Sequence, residues 1–462
     1  MFKVSRLTKA GSFALLGALL LNAPPGASAQ ASGPQEAGMV AALLQEDRAL
    51  ERYLDPAAGL TVEQAVSLAL ERNGELLALR KELDAAHALV RQANLRANPM
   101  LDAGGSKQLN GGDNSVMVAG TLPLELGGRR AARVLVAERE AEMRALSLAD
   151  RERVLASEVR GKFGEVLAEI LKLGFTDERL NTSRRGYRLV AARVEEGRTA
   201  PLERNMVLVE VNRLLSMREA GEGRVQVALL ELKNALGFRP EEPLRLRGDF
   251  IELIGVLPSV AASTERALRE RPDLKALRAA ELLAEAQIAE ARAGGRADAA
   301  LTAGYQRMRQ GFMVNGIDDA GRPAPVEMTS HSVTFGVRID LPLRNKNQGA
   351  IEAAVLQREA ARDRREFFEL TVRREVASAH ARYERAARAM EIFRVGVREQ
   401  ADANLEVIRK TYELGSKTLL DYIAEQRRFY EVEAEFIDAV LNTYLARVEV
   451  GRSAAAQEFS ER

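Results

Sequence analysis

Between Val372 and Tyr412, apolar or small residues recur at Val372, Val376, Ala379, Tyr383, Ala386, Met390, Phe393, Val397, Ala401, Leu405, Ile408 and Tyr412. Spacings of three and four alternate through most of this series, which makes it a coiled-coil seam sustained over several heptads. Proline, which breaks a helix interior, is absent from Leu124 to Ala200 and again from Leu343 to Arg462. The pattern predicts a helix from about Asn345 to Leu414, roughly 100 Å long at ~1.5 Å per residue. A compact domain has no use for such a rod. A device that crosses a wide gap does.

The chain is duplicated. "ALERNGELLALR" from Ala69 returns as "ALRERPDLKALR" from Ala267, and Ala103-Gly104 returns as Ala303-Gly304. "TLPL" from Thr121 returns as "DLPL" from Asp340, and "VEEGRTAPLE" from Val194 returns as "YELGSKTLLD" from Tyr412. The offset grows between the second and third landmarks and then holds, so the second copy carries one insertion. That segment, about 306–330, holds Gly311, Gly316, Gly321, Pro323 and Pro325 and reads as an exposed loop.

Each copy opens with a helix, the first with Thr61 as N-cap and Gln64 in the reciprocal position. The helical pattern stops near Pro99 and Ala297; two extended segments follow, the second ending in Leu-Pro-Leu, and then the long helix begins. The clearest strand is Val333 to Leu341: Val333, Phe335, Val337, Ile339 and Leu341 point one way, while Thr334, Gly336, Arg338 and Asp340 point the other. Val116, Val118, Gly120 and Leu122 are the first-copy counterparts, and weaker outgoing strands lie near Leu101–Lys107 and Leu301–Arg307. Two hairpins give four strands. Four strands cannot close a barrel, for which about eight is the small end, so they either form an exposed sheet edge or join strands of other chains.

The first 29 residues have Lys3, Arg6 and Lys9, an apolar stretch from Phe13 to Leu21, and Ala27-Ser28-Ala29 before Gln30. This is the layout of a cleaved secretory signal. Its removal takes away three positive charges and no acids, so the formal charge of +1 becomes −2. No later segment offers about 18 consecutive apolar residues, so any membrane entry is expected without helices. The 67 Lys and Arg against 66 Asp and Glu exclude the basic excess of a nucleic-acid binder. The absence of Cys excludes a disulfide framework, a thiolate metal site and a Cys-linked lipid anchor. High charge (29%) with few aromatics (5%) favours long helices.

The opening "LTVEQAVSLALERNGELLALRKELDAAHALVRQANLRANPML", the hairpin exit "TLPLELGGRRAARVLVAEREA" and the turns "EEGRTAPLE" and "ELGSKTLLD" resemble outer-membrane efflux proteins of the TolC type, from about Leu60 to Val450. The Leu-Glu-Leu-Gly-Gly-Arg-Arg run and "PLRLRGD" are most similar to the CzcC-like heavy-metal branch. The resemblance implies a mostly α fold with a membrane β-barrel. Three chains with four strands each would close a 12-stranded outer-membrane β-barrel, continuous with a periplasmic α-helical coiled-coil barrel of roughly 100 Å. It further implies a homotrimer that docks on a periplasmic adaptor and an inner-membrane pump of the resistance-nodulation-division type. It would act as a passive exit duct for divalent heavy-metal cations, without cofactor or catalysis. The expected organisation is a signal peptide (1–29), an N-terminal extension (30–59), a first repeat (60–238), a linker (239–259), a second repeat (260–451) and a C-terminal tail (452–462). Many relatives carry a lipidated N-terminal Cys; with none here, anchorage is expected to rest on the barrel.

The turns at Gly197 and Gly415 correspond to the periplasmic tips, where the family closes its channel and meets the adaptor. By the motif, Tyr412 and Lys417 sit where TolC-type channels place an aromatic and a basic gate residue. Asp421 matches the first of two aspartates that form acidic rings; the second position is Ala424. Glu203 is the acid of the first repeat. A structural reading stands beside this one: Glu203 and Asp421 each fit position N3 of a starting helix, where an acid favours exposed amides, and Pro201 fits N1. Arg338 and Asp340 fall on the polar strand face, inside the barrel if the apolar face meets lipid, or form a local ion pair. Gly127-Gly128-Arg129-Arg130 resembles an anion nest, but without the phosphate-loop ending it reads more simply as a strand-to-helix bend.

His87, His331 and His380 lie far apart, none with a partner at ligand spacing, and the inserted segment mixes Met308, Met313, Asp318, Asp319, Glu327, Met328 and His331 without a consistent ligand set. No metal site is expected, and a tight one would hinder release from a duct. The runner-up is a drug- or protein-exporting channel of the same build. A rival of another class, a periplasmic coiled-coil adaptor or scaffold, predicts one hairpin and no lipid-facing strands.

Overall fold

After a short helix α1 (Ala49–Tyr53), the chain enters α2 (Val62–Arg72) through the expected reciprocal cap. Thr61 Oγ1 accepts from the Gln64 amide at 3.3 Å, and Gln64 Oε1 accepts from the Thr61 amide at 3.0 Å. Asn73 both ends α2 and starts α3 (Gly74–Ala93), its Oδ1 accepting from the amides of Glu75 and Leu76. Strands β1 (Met100–Lys107) and β2 (Asn114–Pro123) follow, then α4 (Arg129–Glu195) and α5 (Pro201–Leu236). The second copy repeats this order: α6 (Val260–Glu270), α7 (Pro272–Gly294), β3 (Asp298–Ile317), β4 (Pro323–Asp340) and α8 (Gln348–Glu391). A π-helical segment (Ile392–Arg398) joins α8 to α9 (Glu399–Glu413), and α10 (Leu419–Ser453) closes the copy.

The computed structural model describes residues 49–250, 254 and 257–455, all within one unit, Asp47–Arg462. The expected signal peptide, the 30–48 part of the extension, residues 251–253 and 255–256 of the linker, and the tail beyond 455 lie outside the described residues.

The 67 residues of α4 span roughly 100 Å at ~1.5 Å per residue. The expected second rod is helical from Gln348 through Glu413. Every position of the seam from Val372 to Tyr412 is buried or half-buried. The π-helical segment lies where three consecutive spacings of four (Phe393, Val397, Ala401, Leu405) replace the alternation. At about 3.6 residues per turn such a run rotates the apolar stripe off the seam; a wider turn brings it back.

The largest core fills the bundle of α2, α3, α4 and α5 around Leu76, Leu155, Phe163, Ile170, Leu232 and Leu236. Tyr444 of α10 packs against Gly164 of α4, where a β-carbon would collide with its ring, and its hydroxyl donates to the Arg160 carbonyl at 3.0 Å.

The two hairpins form one antiparallel sheet in the order β1-β2-β3-β4, with Ala103 opposite Val118, Val118 opposite Tyr305, and Tyr305 opposite Val333. Among the described residues, the edges β1 and β4 have no partner strand. One expectation is corrected. The inserted segment 306–330 is not a loop: it lengthens β3 and β4 into a paired hairpin, and only 318–322 turns. A shift of register between Phe312 and Asn315 absorbs the irregular positions, and Pro323 and Pro325 lie at the start of an edge strand, which tolerates their missing donors.

Candidate functional site

The helix-to-helix turns of the two copies share one geometry. Gly197 (φ 71°) and Gly415 (φ 77°) take the left-handed conformation. At the first turn Arg198 N donates to Arg193 O at 2.9 Å and Gly197 N to Val194 O at 3.0 Å; at the second, Ser416 N donates to Thr411 O and Gly415 N to Tyr412 O, both at 2.9 Å. This is the Schellman pairing, which needs a residue without steric cost at positive φ. The following helices start differently. Pro201 opens α5 after Ala200, with no side-chain cap. Thr418 caps α10: its Oγ1 accepts from the Asp421 amide at 3.2 Å, while Asp421 Oδ2 accepts from the Thr418 amide at 3.0 Å and hydroxyl at 2.8 Å. The Thr418 amide and hydroxyl hold the Asp421 carboxyl below the usual range.

Leu202 and Leu420, each the second residue of its helix, are 67% and 62% exposed, and Leu414 is 81% exposed. Lys417 is exposed between them. Tyr412 stacks flat on Tyr422, with ring centroids 5.6 Å apart and planes within 1°. Burial pushes the Tyr412 hydroxyl up, and the Glu203 carboxylate adds to the shift. Tyr412 is thus within electrostatic reach of Glu203 from the other copy, and Asp421 within that of Lys417.

Two turns into the helices, Glu210 of α5 is buried and accepts from Arg427 of α10, at 2.6 Å from Nη2 and 3.0 Å from Nε. Arg213 adds longer bonds at 3.2 and 3.3 Å. Burial pushes the Glu210 carboxyl up, but the two guanidiniums outweigh it and hold it below the ordinary range. Arg179 nearby is pulled down by burial, with Tyr422 and Glu210 opposing. Further along, Thr176 and Tyr430 hydroxyls meet at 2.6 Å and Lys172 Nζ meets Asp438 at 2.6 Å, so α10 is fastened to the first copy along its length.

In the sheet, alternate residues divide into two faces. One carries Leu101, Val116, Val118, Leu122, Leu301, Tyr305, Val333, Phe335, Val337 and Ile339, all of them exposed large side chains, Phe335 at 82%. The other carries Asp102, Ser106, Ser115, Thr121, Thr302, Gln306, Ser332, Thr334, Arg338 and Asp340. Arg338 lies opposite Ala300 and Asp340 opposite Asp298; no ion pair joins Arg338 to Asp340.

The family profile for outer membrane efflux proteins matches residues 65–238 and 264–455. This chain belongs to the outer membrane efflux protein family. The efflux protein is 24% identical over 401 residues to the cobalt-zinc-cadmium resistance protein CzcC of Cupriavidus metallidurans, covering 86% of this chain and 90% of that one. Its fold is similar to that of CusC, solved with conformational changes accompanying folding and transmembrane channel formation (TM-score 0.69, 17% identity, 89% of this chain and 95% of that one). It is equally similar to a membrane protein from Pseudomonas aeruginosa (TM-score 0.68, 21% identity, 87% and 94%). The TolC-type architecture of barrel strands joined to a helical tube is thus the fold of this efflux protein, which is an outer-membrane channel of tripartite efflux and not an enzyme.

At the junction of strands and helices, the efflux protein uses Gly127 and Gly128 (φ 74° and 83°) to bend, as the sequence suggests. Arg129 donates to the carbonyls of Gly294 (3.2 Å) and Arg296 (3.0 Å) and pairs with Asp298 at 3.0 Å; Arg130 grips Asn94 through its carbonyl and its Oδ1, both at 2.7 Å. These arginines close the carbonyl ends of α7 and α3. Four of the residues considered for a metal are otherwise engaged: Asp318 caps its own turn, Glu327 pairs with Arg309, His331 Nδ1 meets the Tyr305 hydroxyl at 2.6 Å, and His380 Nε2 meets Ser263 Oγ at 3.0 Å. Among the described residues no group of three or more His, Asp or Glu could hold an ion. Sequence reading missed Glu210, Arg213, Arg427 and Tyr422. Opposite charges at Glu210 and Arg427 are separated by 217 positions, nearly the repeat offset at the tips, and that was the available signal.

Proposed function

We propose that three copies of the chain close a 12-stranded barrel in the outer membrane (four strands each) above a periplasmic helical tube, and that this duct passively releases divalent heavy-metal cations. The observation that carries the cargo is the similarity to CzcC over nearly the whole of both chains. Trimeric closure is supported by a sheet whose two edges are unpaired among the described residues and which has one exposed apolar face, an arrangement unfavourable in a lone chain. Two hairpins, not one, count against the adaptor or scaffold reading. The barrel provides the anchor without lipidation. The polar face with Arg338 and Asp340 lines the lumen.

The tips carry the entrance. Tyr412, Lys417, Asp421 and Glu203 form the gate, and the turns at Gly197 and Gly415 present Leu202, Leu414 and Leu420 to a periplasmic adaptor, beyond which an inner-membrane pump of the resistance-nodulation-division type supplies the energy. Two repeats (60–238 and 260–451) joined by a linker (239–259) are the units of the fold, after a signal peptide (1–29) and an N-terminal extension (30–59) and before a tail (452–462). The test is deletion of the gene and complementation, with growth measured on cobalt, zinc and cadmium salts. Lowered tolerance restored by the intact chain supports the cargo. Unchanged metal tolerance with lowered tolerance to amphiphilic drugs replaces it with the drug-exporting reading.

A further inference from the structure

Just past Tyr305 the outward sheet face changes from apolar to basic. In the register of the sheet, Arg307 lies in the row Gly105–Val116–Arg307–His331, and Lys107 and Arg309 share the next row with Asn114 and Thr329. At the same level the opposite face carries Ser106, Ser115, Gln306, Met308, Ser330 and Ser332, none of them charged. All three cations are therefore on the face that turns away from the lumen. Arg309 pairs with Glu327, and Asp113 accepts from the Gly311 amide at 2.7 Å; among the described residues no ion pair engages Lys107 or Arg307, and both are exposed.

The position of this cluster is informative. The apolar run from Leu341 to Val333 covers about 27 Å along the strand at ~3.4 Å per residue, or about 20 Å of height once a strand tilt of ~40° is applied. Tyr305 marks its end with a polar tip and an apolar body, the character of a membrane-interface residue. The cations follow within two to four residues, at headgroup depth, where long basic side chains reach for phosphate. A role in conduction would place them on the lumen face, and the alternation of the strand forbids that.

We propose that Lys107, Arg307 and Arg309 form a phosphate-binding rim on the outside of the barrel, whose ligand is the phosphorylated glycolipid of the outer leaflet. Arg307 and Lys107 supply the uncompensated charge, and Arg309 is positioned by Glu327. The inference rests on the barrel reading above. The test uses the full chain purified from outer membranes in mild detergent, with bound glycolipid quantified per protein and rebinding measured with bis-phosphorylated and with dephosphorylated lipid A. The double variant K107Q/R307Q is expected to bind the phosphorylated form about thirtyfold more weakly, from about fivefold per cation near a charged membrane surface. K107R/R307K is expected to restore binding. Wild-type binding that does not distinguish the two lipids, or K107Q/R307Q binding equal to wild type, overturns the rim. Wild-type protein absent from the outer-membrane fraction overturns the barrel reading itself, which separates the two failures.

Discussion

Glu210 and Arg427 join the two halves of a duplicated chain at 2.6 Å, about 10 Å along α5 from Glu203 by the ~1.5 Å rise per residue. A buried carboxylate held by a partly exposed guanidinium depends on its partner, since removal of the partner leaves the charge desolvated. Arg427→Ala is expected to lower stability by about 2 kcal/mol, Arg213 retaining part of the pairing, and to raise the conductance of the reconstituted channel because the tie between repeats loosens at the entrance. The pH dependence follows in sign. A carboxyl whose folded value is depressed contributes stability that is complete above the ordinary value of about 4.3 and is lost as pH falls through the lower folded value. Conductance should stay level from neutral to about pH 5 and rise in stronger acid, whereas Glu210→Gln should show no such rise. A wild-type channel that opens progressively from neutral pH downward would contradict this assignment.

Asp421 has two separable roles. Its Oδ2 closes the cap with Thr418, and its charge faces solvent at the tip. Asn can keep an oxygen acceptor at the same place and lose only the charge, so Asp421→Asn isolates the electrostatic role. In planar bilayers the variant should show reduced cation preference, read as a reversal potential moved toward zero in a salt gradient. An unchanged reversal potential would reduce Asp421 to a helix cap.

The two faces of β4 make opposite predictions. Phe335, 82% exposed, should meet lipid, and Arg there costs about 2–4 kcal/mol near the bilayer midplane. Phe335→Arg is expected to deplete folded protein from outer membranes. Arg338→Glu, three residues away on the other face, should assemble normally and change ion selectivity instead. Quantitative blotting of membrane fractions separates the cases, and equal loss in both variants would remove the distinction between lipid and lumen faces.

The rods, caps and strand faces were legible because each is written locally. The seam from Val372 to Tyr412, the Thr61–Gln64 cap and the alternation from Val333 to Ile339 are periodicities that no distant contact has to complete. The inserted segment was misread because Gly311, Gly316 and Pro325 look like loop residues, although a long hairpin with a shifted register and an edge position accommodates all three. The tie at the entrance was hidden for another reason. Glu210 and Arg427 each look like ordinary surface charges on a helix, and only the pairing of α5 with α10 makes them neighbours. Even the π-helical segment had its trace, in three consecutive spacings of four within the seam.

Among the described residues, three helices run out into a glycine at nearly the same φ: Gly197 at 71°, Gly237 at 73° and Gly415 at 77°. Alanine at any of them costs about 1–2 kcal/mol from the left-handed backbone alone. The surroundings differ. At Gly197 and Gly415 a β-carbon would have nothing within 4 Å, whereas at Gly237 it would meet the Arg72 carbonyl oxygen at 2.6 Å. That oxygen belongs to the last turn of α2, which packs on the end of α5, and a backbone atom cannot swing aside. Gly237→Ala should therefore lower the unfolding midpoint by clearly more than Gly197→Ala, with overpacking adding about 1–3 kcal/mol. The pair of variants separates backbone strain from close approach, because the strain is common to both. Equal midpoints would mean that α2 and α5 shift apart freely at their ends, and that the close contact between Gly237 and Arg72 contributes nothing to holding the first repeat together.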